Sequence, residues 1–358
     1  MKKILVVDDS ALMRRVLCDI IDSDKRFHVD NRATNGLEAL EILRQKTFDA
    51  VVLDVNMPKM NGLELLQEMQ KSKISARVLM ASTDTKEGAK ITMEALELGA
   101  LDFIQKPDNA VDCRNDQFSK HLLELLGIVA DSKLPVFEDA AKQQENREVT
   151  GKMVTLAKRH TLSAEGSKVV AIASSTGGPK ALQSVIPMLP AGLQAPVLIV
   201  QHMPTGFTAS LAERLNGISS LKVKEAAEGD VLEIGCVYLS MGGKHMNVVE
   251  GMGGKSVIHY TDEPPREGVK PCANYMFESL ENSGYEEVLC VVMTGMGADG
   301  TKGISKLKES KKIHVIAQEQ STCAVYGMPR SVVNAGLSDQ IVPLKHIAQE
   351  IILNVGVK

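Results

Sequence analysis

Ser175, in a glycine-rich turn, is a residue that could do covalent chemistry. The segment 168–182 reads KVVAIASSTGGPKAL, so an apolar, β-branched run ends abruptly and Pro179 stands where a helix would begin. A turn between a strand and a helix exposes its hydroxyl and leaves backbone N–H groups free to bind negative charge. The turn therefore suits either a nucleophile with its oxyanion donors or a phosphate-binding loop.

Carboxylates near the N-terminus suggest a second kind of chemistry. Asp8 and Asp9 follow one apolar run and Asp54 follows another, while Ser82 and Lys106 come after two more. Because the carboxyl ends of parallel strands share one edge of a sheet, we expect these side chains to meet. Three carboxylates repel each other unless a divalent cation lies among them, and oxygen ligands suit Mg²⁺. The group predicts a Mg²⁺ site with a carboxylate that accepts a phosphoryl group.

His202 and Asp299 could complete a site around Ser175. Each lies beyond an apolar run, 197–200 and 288–293, so the same edge argument brings all three together. A serine, a neutral imidazole and a buried carboxylate are the groups that acyl transfer needs, with the N–H groups of Thr176 and the 295–297 turn as oxyanion donors. Any one of the three could instead be a helix cap or a satisfied core group. His245 is a rival base, and phosphate binding stays open although neither glycine-rich turn has the Gly-Lys-Ser/Thr pattern.

Alternating apolar runs and amphipathic segments predict the elements that position these residues. Two α/β domains with doubly wound parallel sheets are expected: 1–130 and 168–358, joined by a polar, charge-balanced linker over 131–167 with partial helices at 138–147 and 153–159. In the first domain Ser10 is expected to cap a helix whose apolar face includes Leu12 and Val16. The predicted strands are 4–7, 50–53, 77–81 and 103–104, then 169–173, 197–200, short strands within 223–258, 288–293 and 315–317; helices are expected near 37–43, 63–69 and 91–98.

Composition excludes several classes of function. The formal charge is −4, aromatic residues make up 3% and there is no Trp, which argues against nucleic-acid binding. No apolar run is long enough to span a membrane, and the N-terminus lacks the apolar core of a signal peptide. The six cysteines show no close paired spacing, so we expect reduced thiols in a cytoplasmic protein.

The first domain resembles the response-regulator receiver domain, with a flavodoxin-like fold. The matching motifs are VVDDS (6–10), LDVNMP (53–58), LMAS (79–82) and FIQKP (103–107). The resemblance implies that Asp54 is phosphorylated. It further implies that Asp8, Asp9, Asp54 and the carbonyl of Asn56 serve Mg²⁺, and that Ser82 and Lys106 bind the phosphoryl oxygens.

The second domain resembles the protein-glutamate methylesterase/glutaminase family of bacterial chemotaxis (the CheB family), with a Rossmann-like fold. Its motifs are ASSTGGPKAL (173–182), VQHMPTGFT (200–208), GMGADGTKG (295–303) and AQEQSTCAVYGMPR (317–330). The resemblance implies Ser175 as nucleophile, His202 as base, Asp299 as its orienting acid and an oxyanion N–H from Met296. Ala173, Ser174, the segment 240–242, Asn274 and Gln320 depart from the family's usual residues.

Together the two resemblances imply a phosphorylation-activated hydrolase that needs no cofactor at its hydrolytic site. It would demethylate glutamate γ-methyl esters, and deamidate glutamines, on methyl-accepting chemoreceptors, with a chemotaxis histidine kinase as phosphodonor. No nucleic acid and no membrane insertion are expected. The receiver is expected to cover Ser175 until Asp54 is phosphorylated. The alternatives are a non-catalytic adaptor that keeps the fold and a DNA-binding output, for which the second domain shows no basic recognition helix.

Overall fold

A computed structural model describes residues 1–82, 86–107, 116–132, 134 and 167–358. The chain divides into two compact units, 1–158 and 159–358. The predicted linker over 131–167 falls mostly outside the described residues, and so do both helices predicted within it. None of the helices in the described part of the chain has the length and apolar character that a membrane crossing needs.

The first unit is built on a five-stranded parallel sheet in the order β2-β1-β3-β4-β5, the doubly wound arrangement that the sequence predicts. Its interior strands are almost completely buried, as expected for strands covered by helices on both faces. Its elements are β1 (Lys2–Val7), α1 (Ala11–Ser23), β2 (Phe27–Ala33), α2 (Gly36–Gln45), β3 (Ala50–Asp54), α3 (Gly62–Lys71), β4 (Val78–Ser82), α4 (Lys86–Glu97), β5 (Asp102–Gln105) and α5 (Asp116–Asp131).

Helix α1 shows how local sequence places the first acidic residues. The Ser10 side chain accepts a hydrogen bond from the Met13 N–H and caps the helix, as predicted. The helix buries Val16 and Ile21 among its apolar residues, whereas Leu12 is 58% exposed. Leu12 lies in the first turn of the helix.

The second unit has a seven-stranded parallel sheet in the order β14-β13-β12-β6-β7-β9-β8, with an antiparallel hairpin of β10 and β11 beside it. Gly229 and Gly243 both have a positive φ, which glycine adopts readily. The elements are β6 (Lys168–Ser174), α6 (Gly178–Val185), β7 (Val197–Gln201), α7 (Phe207–Ile218), β8 (Lys222–Glu225), β9 (Cys236–Leu239), β10 (His245–Glu250), β11 (Ser256–Thr261), α8 (Ala273–Ser279), β12 (Glu287–Val292), α9 (Thr301–Ser310), β13 (Lys312–Gln318), α10 (Met328–Asn334), β14 (Gln340–Val342) and α11 (Leu344–Val355).

The strand order fixes where a site can form in this sheet. Strand β6 lies between β7 and β12, and the chain runs from β6 to β7 on one side before it later reaches β12 on the other. In open α/β sheets the crevice for a ligand opens at the carboxyl ends of strands where the strand order reverses. The loops after β6, β7 and β12 meet at that point, and they carry Ser175, His202 and Asp299.

Candidate functional site

The carboxyl edge of the first sheet gathers the acidic residues around one lysine. The Lys106 Nζ lies 2.7 Å from the Asp54 Oδ1 and 3.2 Å from the Asp8 Oδ2. All three side chains are buried. The carboxylate oxygens of Asp8, Asp9 and Asp54 lie within 4.8 Å of one another, although Asp9 is exposed. The structure thus brings together four of the residues that the sequence assigned to this site.

The charges in this cluster do not balance. Burial raises the pKa of Asp54 and of Asp8 above the ordinary value, against the opposing effect of Lys106. Burial alone would lower the pKa of Lys106, but the two carboxylates raise it, so the lysine stays protonated. One ammonium group facing three carboxylates leaves net negative charge, and all the side-chain ligands are oxygens. This donor set fits a divalent metal ion.

Ser82 and Asn56 take different positions at the same edge. Ser82 ends β4 and is buried, and its carbonyl accepts a hydrogen bond from the Lys106 N–H at 2.7 Å. Asn56 lies two residues beyond Asp54, in the loop between β3 and α3, and is exposed. Ser82 is therefore tied to the segment that carries Lys106, whereas Asn56 is open to solvent.

In the second unit, Ser175 lies immediately beyond β6 in a turn that is held from several sides. Its N–H donates to the Thr294 carbonyl at 3.0 Å, and its own carbonyl accepts from the Gly178 N–H at 2.7 Å and from the Gln201 Nε2 at 2.9 Å. Gly177, with φ of +73°, precedes helix α6, where Pro179 occupies the first turn as predicted. The side chain is half-buried and, within the described residues, its hydroxyl has no hydrogen-bond partner. A hydrogen bond to His202 is thus not formed here; such contacts often tighten only when substrate binds.

His202 and Asp299 form a buried pair beside this turn. The His202 Nε2 lies 2.7 Å from the Asp299 Oδ2, and Asp299 is only 2% exposed. The same Oδ2 accepts the Ala273 N–H at 2.6 Å, while the Oδ1 accepts the backbone N–H groups of Asn274 at 2.9 Å and Gly300 at 2.8 Å. Burial alone would raise the Asp299 pKa, but the hydrogen bonds, that of His202 first, lower it to about 2. Asp299 is therefore an anion at neutral pH.

The predicted oxyanion donors are two free N–H groups near Ser175. Neither the Thr176 N–H nor the Met296 N–H has a partner among the described residues, while the Thr176 carbonyl is fixed by the Thr294 hydroxyl at 3.0 Å. The turn over 295–297 lies directly against the nucleophile turn. A Cβ on Gly295 would lie 2.7 Å from the Ser175 Cβ and 3.0 Å from its nitrogen. Only glycine permits this approach.

The rival base His245 has a different environment. It begins β10 and is fully buried, its Nε2 faces the Pro264 carbonyl at 3.3 Å, and its ring packs on Tyr275 with centroids 4.5 Å apart. Burial lowers its pKa. The Asp299 carboxylate contacts His202, whereas the described hydrogen bond of the His245 ring is to the Pro264 carbonyl.

Two contacts in the site were not foreseen from the sequence. Gln201 bridges the nucleophile turn, because its Oε1 accepts from the Ser174 hydroxyl at 2.7 Å while its Nε2 holds the Ser175 carbonyl. Residues 272–274 surround Asp299, with the Cys272 Sγ 3.0 Å from the Asp299 Oδ1. The proximity of Gln201 to His202 could have suggested the first, but nothing in the sequence places 272–274 beside Asp299.

The fold and these residues define a response regulator whose second unit has the layout of a serine hydrolase. The family model for the response regulator receiver domain matches residues 4–115, and the model for CheB methylesterase matches residues 170–351. The chain belongs to the CheB methylesterase family, with a receiver domain.

Named relatives are similar to this chain over almost its whole length. The protein-glutamate methylesterase/protein-glutamine glutaminase 1 of Syntrophomonas wolfei is 41% identical over 358 residues, covering 98% of both chains. The protein-glutamate methylesterase/protein-glutamine glutaminase of Bacillus subtilis is 39% identical and also covers 98% of each. Among solved structures, the CheB methylesterase catalytic domain of Thermotoga maritima is 39% identical with a TM-score of 0.50, covering 52% of this chain and 98% of that one.

Proposed function

We propose that the protein hydrolyses glutamate γ-methyl esters, and deamidates glutamines, with Ser175 as nucleophile, His202 as general base and Asp299 as the residue that orients His202. The observation that carries this assignment is the 2.7 Å contact between the His202 Nε2 and the Asp299 Oδ2, at the sheet edge where Ser175 lies. An Nε2–H that donates to Asp299 leaves the His202 Nδ1 unprotonated. That nitrogen has no partner among the described residues and can take the Ser175 proton.

In the first half of the reaction the Ser175 oxygen attacks the γ-carbonyl carbon of the substrate. His202 takes the hydroxyl proton, and the N–H groups of Thr176 and Met296 stabilise the negative charge on the carbonyl oxygen. The tetrahedral intermediate then collapses: the carbon–methoxy bond breaks and His202 gives the proton to the departing methanol. A glutamyl–Ser175 ester remains.

In the second half water replaces methanol along the same path. His202 removes a proton from water, the hydroxide attacks the acyl carbon, and Ser175 leaves with the proton that His202 returns. The product is a free glutamate side chain. With a glutamine substrate the first leaving group is ammonia, and the second half is unchanged. Only side chains, backbone N–H groups and water take part.

The receiver domain supplies the control. We assign Asp54 as the phosphorylated residue, with Asp8, Asp9, Asp54 and the Asn56 carbonyl holding Mg²⁺, and with Ser82 and Lys106 contacting the phosphoryl oxygens. The bound ion would neutralise the phosphoryl oxygens during transfer. The net negative charge of the buried carboxylates supports this role. Phosphorylation adds about two negative charges at this edge and so can reorder nearby loops.

The proposed substrates are methyl-accepting chemoreceptors, and the proposed phosphodonor is the histidine kinase of the same chemotaxis system in the cytoplasm. Membership in the CheB family supports both assignments. Removing a methyl ester restores a negative charge on the receptor, so the reaction resets receptor signalling.

The decisive experiment measures methanol release from methylated receptor by Ser175→Ala and by Ser174→Ala, each with and without a small-molecule phosphodonor. The adjacent Ser174 is the matched control, because its hydroxyl bonds to Gln201 inside the protein. We expect Ser175→Ala to lose methanol release in both conditions, while Ser174→Ala keeps at least about a tenth of the wild-type rate because it loses one neutral hydrogen bond. Wild-type activity in a folded Ser175→Ala protein would reject Ser175 as the nucleophile, whereas a wild-type protein that releases no methanol in either condition would favour the non-catalytic adaptor.

A further inference from the structure

We infer that Cys272 is a positioning residue of the hydrolase, whose thiol holds Asp299 in the orientation that serves His202. The inference rests on the proposed roles of Ser175, His202 and Asp299. Cys272 lies just before helix α8, and its side chain is fully buried. Its Sγ is 3.0 Å from the Asp299 Oδ1, within hydrogen-bonding distance.

The two oxygens of Asp299 have unequal surroundings, and the thiol contributes to that difference. The Oδ2 faces His202 and one backbone N–H, whereas the Oδ1 faces two backbone N–H groups and the thiol. A carboxylate rotates about its last bond with a broad, roughly two-fold energy profile, so bonds on the far oxygen determine the angle of the near one. The thiol is the only side-chain donor among the described residues that holds the Oδ1.

The thiol acts as a donor and not as a second nucleophile. Burial, together with the Asp299 charge, raises the pKa of Cys272 to about 12, so the sulfur keeps its proton at neutral pH. A thiolate at 3.0 Å from the carboxylate would place two anions in contact inside the protein. The S–H bond therefore points to Asp299, and its complete burial keeps it from substrate.

The neighbouring residues make this contact specific. The Asn274 Oδ1 accepts the N–H of Gly303 at 2.7 Å and that of Gly300 at 3.1 Å, which ties the loop carrying Asp299 to the segment carrying Cys272. Both partners of the thiol contact are thus fixed in the backbone. Loss of the thiol should change the orientation of Asp299 without moving the loop.

The test compares four folded, full-length variants in the methanol-release assay: Cys272→Ala, Cys272→Ser, Cys290→Ala and Ser175→Ala. Cys290 is the matched control, because it is equally buried, in β12 of the second unit's sheet, and no hydrogen bond joins it to Asp299 in the described residues. Losing one weak hydrogen bond to a charged group should lower kcat of Cys272→Ala about threefold to tenfold with KM unchanged. Cys272→Ser, which keeps a donor, should stay within about twofold of wild type. Cys290→Ala should keep the wild-type kcat.

Three results would overturn the inference: an unchanged kcat in Cys272→Ala, a Cys272→Ser protein as slow as Cys272→Ala, or an equal loss in Cys290→Ala. If Cys272→Ala does not fold, Cys272→Val fills the volume of the thiol without a donor and is judged by the same criteria. The rate at which a serine-reactive phosphonate labels Ser175 gives a second readout that needs no receptor. Activity in Ser175→Ala would instead reject the proposed function, so the two failures are distinguishable.

Discussion

Replacing Asp299 with asparagine tests the proposed mechanism most directly. The carboxylate accepts five hydrogen bonds, two on the Oδ2 and three on the Oδ1. An asparagine has one accepting oxygen, so its NH₂ group must face one of these sets. Fewer donors oppose it on the Oδ2 side, where it would face the Ala273 N–H and His202. There it must donate to the His202 Nε2, which forces the imidazole proton onto the Nδ1. The Nδ1 can then no longer take the Ser175 proton.

The structure sets the size of both effects. The wrong tautomer should lower kcat on the order of 10⁴-fold, the loss found when the acid of a serine protease triad is replaced in this way. Stability should also fall. The ordinary Asp pKa of 3.8 and the value of about 2 here correspond to about 2 kcal/mol of stabilisation of the folded protein at neutral pH. An unpaired Ala273 N–H adds about 1–3 kcal/mol, and because the two contributions overlap we expect a loss of about 2–4 kcal/mol.

The assay must separate chemistry from folding. Methanol release from methylated receptor is measured well below the melting temperature of each variant, and unfolding is followed by urea titration. Asp339→Asn is the matched control: the Asp339 Oδ2 also accepts a backbone N–H, that of Val315 at 2.7 Å, and lies 3.6 Å from a histidine nitrogen, that of His314, elsewhere in the same unit. It should lose stability and keep kcat. A folded Asp299→Asn protein within tenfold of the wild-type kcat would refute the reasoning.

The remaining predictions concern acid stability, packing beside Ser175 and the receiver. Because the Asp299 pKa is lowered, the ionised carboxylate stabilises the folded protein fully above about pH 4, and this stabilisation is lost as pH falls toward 2. The difference in unfolding free energy between wild type and Asp299→Asn, measured by urea titration, should therefore shrink over that window. A constant difference would contradict this prediction. Gly295→Ala should lose about 1–3 kcal/mol of stability and most activity, because its methyl group would lie 2.7 Å from the Ser175 Cβ. The control Gly217→Ala in α7, whose added Cβ would meet no atom within 4 Å, should keep its stability and activity. Equal melting temperatures and rates in the two variants would count against this packing. Asp54→Asn should abolish the response to a phosphodonor and leave basal methanol release unchanged. It should also unfold at a higher urea concentration, because burial raises the Asp54 pKa and the ionised carboxylate therefore destabilises the folded protein at neutral pH. A retained response to the phosphodonor would exclude Asp54 as the acceptor.

The sequence predicted the parts of the fold that are buried on both faces. Interior strands such as β3 and β12 consist mostly of consecutive apolar residues, a pattern that is recognisable in the sequence alone. Strands β2 and β14 were missed because they lie at sheet edges: β2 reads FHVDNRA, with several polar residues half-buried or exposed, and β14 has three residues. The exposure of Leu12 could not be predicted either, since helical spacing indicates the apolar face of a helix and not how far the core extends along it.

The positions of site residues at strand ends were predictable, whereas contacts from backbone segments far away in the sequence were not. Ser175 and His202 directly follow strands that pair side by side, so the edge argument finds them. The bonds from Ala273 and Asn274 to Asp299 come from backbone N–H groups, which every residue except proline has. In the sequence Asp299 lies 26 residues after Ala273 and 25 residues after Asn274, so no local pattern indicates these bonds.

The surroundings of a buried aspartate shift its pKa in opposite directions in the two units, and this difference explains the two proposed roles. Asp54 is buried, contacts one lysine and has the oxygens of two other carboxylates within 4.8 Å. Burial raises its pKa, so its charge is incompletely compensated. A bound metal ion would stabilise such a carboxylate, which has oxygen lone pairs with which to attack a phosphoryl group. Asp299 is saturated by donors, which lower its pKa to about 2 and leave it no free lone pair with which to attack. In the proposed mechanism it orients and stabilises His202. Environments that push the pKa values of like groups apart are how proteins assign them different chemistry. In the proposed mechanism one aspartate receives the signal and the other supports the hydrolysis that the signal controls.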